Sequence, residues 1–271
     1  MNMKSVTLGQ YYPVDSPVHR LDPRMKIVLT IAMIVAVFLV KCLAGYGLIL
    51  LFLYIASRLS HVPFKMLVKG IKPLRFILLL TFLLNLFFTS GDTVLWQWQS
   101  VVITREGLLQ AVHYSLRLCF LVLGTSLMTL TTSPIMLSDG MEALLKPLKV
   151  IHFPAHELAM MMSIALRFIP TLMDETDKIM KAQMARGADF ESGNLLARAK
   201  AMIPLLVPLF VSAFRRAGDL AMAMEARCYH GGEGRTRLRV MKLSGHDWLA
   251  AASIALLILG VVALGLLGMP F

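Results

Sequence analysis

Long apolar runs separated by short basic segments constrain this chain of 271 residues more than any other feature. Hydrophobic residues make up 57% of the chain and charged residues only 16%, whereas a soluble domain carries about 25% charged residues. Four stretches read as membrane-spanning regions: residues 27–56, 74–89, 107–131 and 248–268. The sequence therefore predicts an all-α integral membrane protein.

The first apolar stretch is interrupted only by Lys41. At about 1.5 Å per residue, residues 27–56 are too long for one span of about 30 Å and short for two. Lys41, Gly45 and Gly47 predict a tight turn that divides the stretch into two short helices. This division brings the expected number of transmembrane helices to about five.

The distribution of basic residues tests this count. With five spans, the basic N-terminus and the basic segment 58–75 share one side, and the loop 90–106, whose only basic residue is Arg105, lies on the other. Because cytoplasmic loops collect Lys and Arg, the N-terminus is predicted to be cytoplasmic. The same rule accounts for the net charge of +11 without a nucleic-acid partner.

Local signals mark two helix starts and one unusual residue. Asp22-Pro23 and Ser133-Pro134 each place a capping residue before a proline at the first helical position. Arg117 lies inside an apolar stretch, where a cation is costly. The sequence leaves open whether Arg117 pairs within the helix bundle or has a direct function.

Two further helices are predicted between the spans, over residues 158–184 and 195–227. Pro204 and Pro208 are expected to bend or break the second one. Both are interpreted as long amphipathic helices at the cytoplasmic face, because the uncharged stretch 201–214 is too short to span. The predicted organisation is a membrane region 1–132 with about four transmembrane helices, a cytoplasmic-face region 133–247, and a C-terminal transmembrane helix 248–271.

A short pattern recurs in these two helices. "AQMARG" begins at Ala182 and "AMEARC" begins at Ala223, so the arginines Arg186 and Arg227 are 41 positions apart. Each copy lies near a predicted helix C-terminus, where the helix dipole favours a cation. A guanidinium can bind a carboxylate with two hydrogen bonds, so the pattern fits either a docking tip or an ordinary solvated helix end.

The chain resembles the transmembrane T component of energy-coupling factor transporters, the EcfT/CbiQ family. The resemblance rests on "ARG" at 185–187 and "ARC" at 226–228, together with "GQYYPVDSPVHRLDPRMK", "HELAMMMSIALRFIPTLMDE" and "GGEGRTR". It covers most of the chain. Cys228 departs from the glycine that is usual in the family, so the exact end of the second helix is open at this point.

The resemblance implies a non-catalytic subunit of a bacterial cell-membrane importer with several membrane spans. Its partners would be two cytosolic ABC-type ATPases, a membrane-embedded S component and the surrounding lipid bilayer. The implied ATPase-coupling residues are Ala185, Arg186, Gly187, Ala226, Arg227 and Cys228. ATP-driven movement would pass through them to the S component, which would select a vitamin or a metal ion as cargo.

Other chemistry has little support in the sequence. There is no P-loop pattern, and His152, His156 and Glu157 do not form the H-E-x-x-H pattern of a zinc site, so neither a cofactor nor a metal is expected. Two other functions stay open. One is an integral-membrane enzyme that uses His156, Glu157 and Arg167, and the other is a scaffold or channel without an ATPase partner.

Overall fold

The computed structural model describes residues 11–89, 91, 93–98, 101–151, 153–188, 190, 194–231 and 241–267. The described residues form two compact units. Residues 11–141 and 241–267 make up one, here called the bundle unit. Residues 142–231 make up the other, here called the helix-pair unit. The three-part division 1–132, 133–247 and 248–271 stays a prediction.

Helices dominate the described residues, which confirms the predicted all-α membrane architecture. The α-helices are α1 Pro23–Leu39, α2 Leu43–Leu59, α3 Phe64–Lys69, α4 Arg75–Phe88, α5 Arg105–Thr131, α6 Pro134–Leu145, α7 Ala155–Ala185, α8 Leu195–Ala226 and α9 Gly245–Leu266. Short 3₁₀ helices cover Lys72–Leu74 and Lys146–Ile151. The strands are β1 Val94–Trp98 and β2 Val101–Thr104.

The core of the bundle unit lies where α1 and α2 pack against α5 and α9. Helix α4 packs along α5. The buried core is apolar and comes from all four central helices, with members that include Met33, Val37, Ile49, Leu53, Phe120, Leu123, Leu257 and Val261. Burying these side chains supplies the contact energy that fixes the bundle.

The predicted division of residues 27–56 is confirmed. Helix α1 ends at Leu39 and α2 begins at Leu43, so Lys41 lies in the break. The expected role of Gly45 and Gly47 in the turn is wrong, because both lie inside α2. Gly45 instead permits close packing, since a β-carbon there would come within 3.0 Å of Val40 Cγ1.

Both predicted helix starts are confirmed. The Asp22 side chain accepts a hydrogen bond from the Arg24 backbone N–H, directly before Pro23 opens α1. The Ser133 hydroxyl accepts from the Met136 backbone N–H at 3.4 Å, directly before α6. In each case a side-chain oxygen pairs with a backbone donor that the first helical turn leaves unsatisfied.

A buried polar cluster joins the start of α1 to the end of α5 and the start of α9. Lys26 is only 5% exposed, and its Nζ donates to the backbone oxygens of His19 and Thr131 at 3.0 and 2.9 Å. The Asp22 backbone N–H donates to Asp247 Oδ1 at 2.8 Å. These contacts hydrogen-bond the buried polar groups within the bundle unit, which offsets their desolvation.

The segment predicted as the loop 90–106 contains a β-hairpin that the sequence analysis missed. β1 pairs antiparallel with β2, with Trp98 opposite Val101 and Val94 opposite Thr104. A register shift lies between Val94 and Trp96. The signal was present, because the segment is rich in valine, tryptophan and threonine between turn residues.

Four helical stretches of the described residues are long and apolar enough to cross a membrane, and α2 is a shorter apolar helix. Three of the four belong to the bundle unit: 64–88, 105–131 and 245–266. The fourth, 200–226 in α8, was interpreted as an amphipathic helix at the interface. The interfacial placement of α8 stays a prediction.

Candidate functional site

Helices α7 and α8 pack against each other in antiparallel directions. Near the middle of α7, Glu175 Oε2 pairs with Arg216 Nη2 at 2.9 Å, and Glu175 Oε1 accepts a hydrogen bond from Ser212 Oγ at 2.5 Å. Near the start of α7, His156 Nε2 lies 3.5 Å from the hydroxyl of Tyr229, just after α8. The beginning of α7 therefore lies beside the end of α8.

An apolar groove of about 250 Å³ between the two helices agrees with this direction. Its walls come from the middle of α7 and the second half of α8: Ile164, Phe168, Leu172, Ala213, Arg216, Ala217, Leu220, Ala221 and Met224. Large side chains of α7 thus face small alanines of α8. This pairing of large with small residues lets the two backbones approach each other.

Helix α7 ends in a Schellman motif. The Ala188 N–H bonds to the Gln183 oxygen at 3.0 Å, and the Gly187 N–H bonds to the Met184 oxygen at 2.9 Å. Gly187 has a φ of +89°, the left-handed conformation that this motif requires at the residue after the cap. Arg186 is the cap residue itself.

Helix α8 ends in the same motif, with the same spacing of bonds. The Tyr229 N–H bonds to the Met224 oxygen at 3.1 Å, and the Cys228 N–H bonds to the Glu225 oxygen at 2.8 Å. Arg227 occupies the position that Arg186 occupies in α7. The exact end of the second helix, which the sequence left open at Cys228, is therefore the same as it would be with glycine.

Cys228 adopts this ending at an energetic cost. Its φ is +54°, a region where a β-carbon is disfavoured and where glycine is usual. The hydrogen bond between His230 Nδ1 and the Cys228 oxygen, at 2.8 Å, helps to hold the turn. The cost of such a residue is about 1 kcal/mol.

Both arginines project from the helix pair. All six predicted coupling residues are exposed: Ala185, Arg186, Gly187, Ala226, Arg227 and Cys228. Within the described residues, neither guanidinium makes a hydrogen bond or an ion pair to another side chain. Each cation lies beside the carbonyl end of a long helix, where the helix dipole favours a positive charge.

The Glu175–Arg216 bridge lies midway between the two caps. Arg186 follows Glu175 by eleven residues, and Arg227 follows Arg216 by eleven residues. At about 1.5 Å per residue, each arginine lies about 16 Å from the bridge along its own helix. Because the helices are antiparallel, the two arginines lie in opposite directions, on the order of 30 Å apart.

A shift of 41 positions relates both pairs of residues, since Glu175 and Arg216 are also 41 apart. The sequence repeat therefore places the bridge at the same number of residues from the arginine cap on each helix. Sequence reasoning found the arginines but missed Glu175, Ser212 and Arg216. The offset of 41 between the arginines was the signal that could have found the bridge.

The residues of the alternative enzyme hypothesis are not brought together. His156 Nδ1 lies 3.1 Å from Glu142 Oε1. Glu157 and Arg167 are exposed and lie ten residues apart on α7, about 15 Å along the helix. No group of three His, Cys, Asp or Glu side chains suited to a metal ion occurs in the part of the chain that the structure describes, which leaves out His152.

Arg117 has partners inside the bundle unit. Its Nη2 lies 2.8 Å from His113 Nε2. Its guanidinium carbon lies 5.3 Å from the ring centre of Phe38 and 5.5 Å from that of Tyr114. These cation–π contacts and the histidine contact support the interpretation that Arg117 pairs within the bundle.

Known proteins match nearly the whole chain. A family model described as a cobalt transport protein, CbiQ, matches residues 15–238, a range that includes both arginine caps. Energy-coupling factor transporter transmembrane proteins of Clostridium kluyveri, Thermosediminibacter oceani and Bacillus subtilis are 56%, 54% and 52% identical to the chain. These matches cover 94%, 96% and 94% of this chain and 95%, 98% and 96% of the relatives. The chain therefore belongs to the EcfT family, the transmembrane components of energy-coupling factor transporters.

Proposed function

We propose that this chain is the coupling subunit of an importer and that Arg186 and Arg227 each dock one cytosolic ABC-type ATPase. The observation that carries the proposal is the pair of matching helix ends, both exposed and both ending on an arginine cap that has no side-chain partner among the described residues. Two equivalent tips suit two related partner surfaces. A bidentate contact between each guanidinium and an acidic residue of the ATPase would fix the orientation of docking.

Because α7 and α8 are antiparallel, the proposal requires one particular orientation of the helix pair relative to the membrane. If the pair lies along the cytoplasmic face, both tips reach the same compartment and can meet two ATPases on the order of 30 Å apart. If the pair stands across the membrane, antiparallel helices place the tips on opposite sides. Docking two cytosolic ATPases therefore requires the first arrangement.

A route from the ATPases to a membrane-embedded S component runs along the same helices. Movement of the docked tips would tilt α7 and α8 about their central bridge. Large apolar side chains of α8 are exposed and offer a contact surface for such a partner, including Ile203, Val207, Phe210 and Phe214. The S component would then reorient and release a vitamin or a metal ion inside the cell, and it would determine which cargo is carried.

The test is the charge-reversal pair Arg186→Glu and Arg227→Glu in the full-length chain, expressed with the ATPases of its own transporter. We expect the variant to insert in the membrane and to lose co-purification of the ATPases, because two attractive contacts become repulsive. The matched control is Arg167→Glu with Arg215→Glu, which reverses two exposed charges on the same helices away from the caps. The control should recruit ATPases as the unmodified chain does.

Two outcomes contradict the proposal. One is undiminished recruitment by the cap variant, and the other is an equal loss of recruitment in the control. The enzyme hypothesis makes a different prediction, because it requires a product that forms without ATP and that is lost in Glu157→Gln.

A further inference from the structure

A row of exposed cations follows α2, at the edge of the bundle unit. Lys65, Lys69, Lys72 and Arg75, here called the cationic stripe, are all exposed. No aspartate or glutamate occurs anywhere in residues 23–91, so the stripe has no acidic neighbour in its own segment. Its charge is uncompensated by the adjoining helices α1, α2 and α4.

The four cations share one side of a nearly continuous helical path. Between α3 and α4 the backbone stays helical, with φ and ψ of −61° and −24° at Gly70 and of −76° and −26° at Ile71. At 100° per residue, Lys65, Lys69, Lys72 and Arg75 fall within an arc of about 120°. The stripe is therefore one surface and not four scattered charges.

The opposite side of this segment is fixed to the bundle. Leu67 is 1% exposed, and Phe64, Met66 and Ile71 pack against the same core. Gly70 lies so close to α5 that a β-carbon there would come within 2.6 Å of Ser126 Oγ. The buried side thus holds the cations facing away from the core of the bundle unit.

The neighbouring helix α4 indicates what the stripe faces. All of α4 is described, and none of its residues is buried. Its exposed side chains are large and apolar, among them Phe76, Leu79 and Phe88. Such a surface belongs in hydrocarbon, and Arg75 is its first residue. The stripe therefore lies where the hydrocarbon of a bilayer ends and the phosphate groups begin.

We propose that the cationic stripe binds the phosphate groups of anionic phospholipids and so fixes the edge of α4 in the membrane. Long lysine and arginine side chains can keep their stems against apolar surface while their charges reach the headgroups. Clusters of four or more cations directly beside a transmembrane helix are typical of binding to anionic lipid. An acidic protein surface fits less well, because the stripe adjoins the lipid-facing helix.

The experiment measures the binding of phosphatidylglycerol to the purified full-length chain in a neutral detergent, by native mass spectrometry. The stripe variant is Lys65→Gln with Lys69→Gln. The matched control is Lys41→Gln with Arg105→Gln, which removes two exposed cations outside the stripe. Phosphatidylcholine and inorganic phosphate are titrated in parallel.

We expect the stripe variant to bind phosphatidylglycerol about twenty-fivefold more weakly, from about fivefold for each of the two cations. The control should stay within about twofold, and Lys65→Arg with Lys69→Arg should restore binding. An unchanged affinity of the stripe variant overturns the proposal, as does an equal loss in the control. Equal binding of phosphatidylcholine, or displacement of the lipid by millimolar inorganic phosphate, also overturns it, the second in favour of a site for free phosphate.

Discussion

One cation of the bundle unit and two cations of the helix-pair unit have opposite environments. In the bundle unit, Lys26 is buried and donates to two backbone oxygens, so its charge serves the structure that surrounds it. In the helix-pair unit, Arg186 and Arg227 cap two helices and stay exposed without a partner among the described residues. The comparison teaches that a cation buried against backbone oxygens stabilises the fold, whereas an exposed cation without a described partner can make contacts outside the chain.

The largest expected effect comes from removing the buried cation. Lys26→Met leaves the His19 and Thr131 oxygens without their donor, which should lower the free energy of unfolding by about 2–4 kcal/mol. Thermal or denaturant unfolding of the purified chain in detergent measures this loss. Lys41→Met, at an exposed position, is the control and should change stability by no more than about 0.5 kcal/mol.

The same variant tests the division of roles between the two units. Chains of the Lys26→Met variant that do fold should recruit ATPases normally, since the helix pair is unchanged. Unaltered stability would contradict the structural role of Lys26. A selective loss of recruitment in well-folded protein would show that Lys26 takes part in recruitment.

The next effect concerns the two helix ends, which share a geometry but differ in one residue. Cys228→Gly should raise the free energy of unfolding by about 1 kcal/mol, because it removes a β-carbon from a left-handed conformation. Gly187→Ala should lower it by about as much, although the site has open space around it. The unfolding midpoint of each variant is compared with that of the unmodified chain. Shifts in the same direction would contradict the conclusion that Gly187 and Cys228 occupy equivalent left-handed positions at the two helix ends.

The smallest effect is expected at the central bridge, which is partly exposed. In a double-mutant cycle, Glu175→Gln and Arg216→Gln should show only a small coupling, because solvent screens an exposed ion pair. The hydrogen bond from Ser212 and the charge of Arg216 lower the pKa of Glu175. Because the folded pKa is the lower one, the stabilising contribution is present at neutral pH and is lost as the pH falls through that lowered pKa. A coupling that grows on acidification would contradict this assignment.

Much of the bundle unit could be predicted from the sequence, because its signals are local. Asp22-Pro23 and Ser133-Pro134 carry their capping chemistry within a few residues, and Lys41 marks the break in the first apolar stretch. The turn itself was placed too late, at Gly45 and Gly47. Gly45 instead serves close packing against Val40, whereas a β-carbon at Gly47 would have nothing within 4 Å.

The helix pair shows where sequence reasoning stops. The repeat that contains Arg186 and Arg227 can be recognised in the sequence. The antiparallel direction of α7 and α8 cannot, because it depends on contacts between residues far apart in the chain. Pro204 and Pro208 are expected from the sequence to bend or break α8, but they do not break it, since the helix runs without interruption from Leu195 to Ala226. The left-handed Cys228 was not foreseen, because a residue with a β-carbon is uncommon there.

The account depends most on both arginine caps lying at the cytoplasmic face. Single cysteines introduced by Arg186→Cys or Arg227→Cys, in a chain that also carries Cys42→Ser, Cys119→Ser and Cys228→Ala, can be labelled with a membrane-impermeant maleimide. Intact cells expose only the outer face of the membrane, and inverted vesicles expose only the cytoplasmic face.

The helix pair lying along the cytoplasmic face predicts that both positions react in inverted vesicles and that neither reacts in intact cells. A pair of antiparallel helices that crossed the membrane would instead place one cysteine on each side. Labelling of one position from the outside and of the other only from the inside would contradict the account.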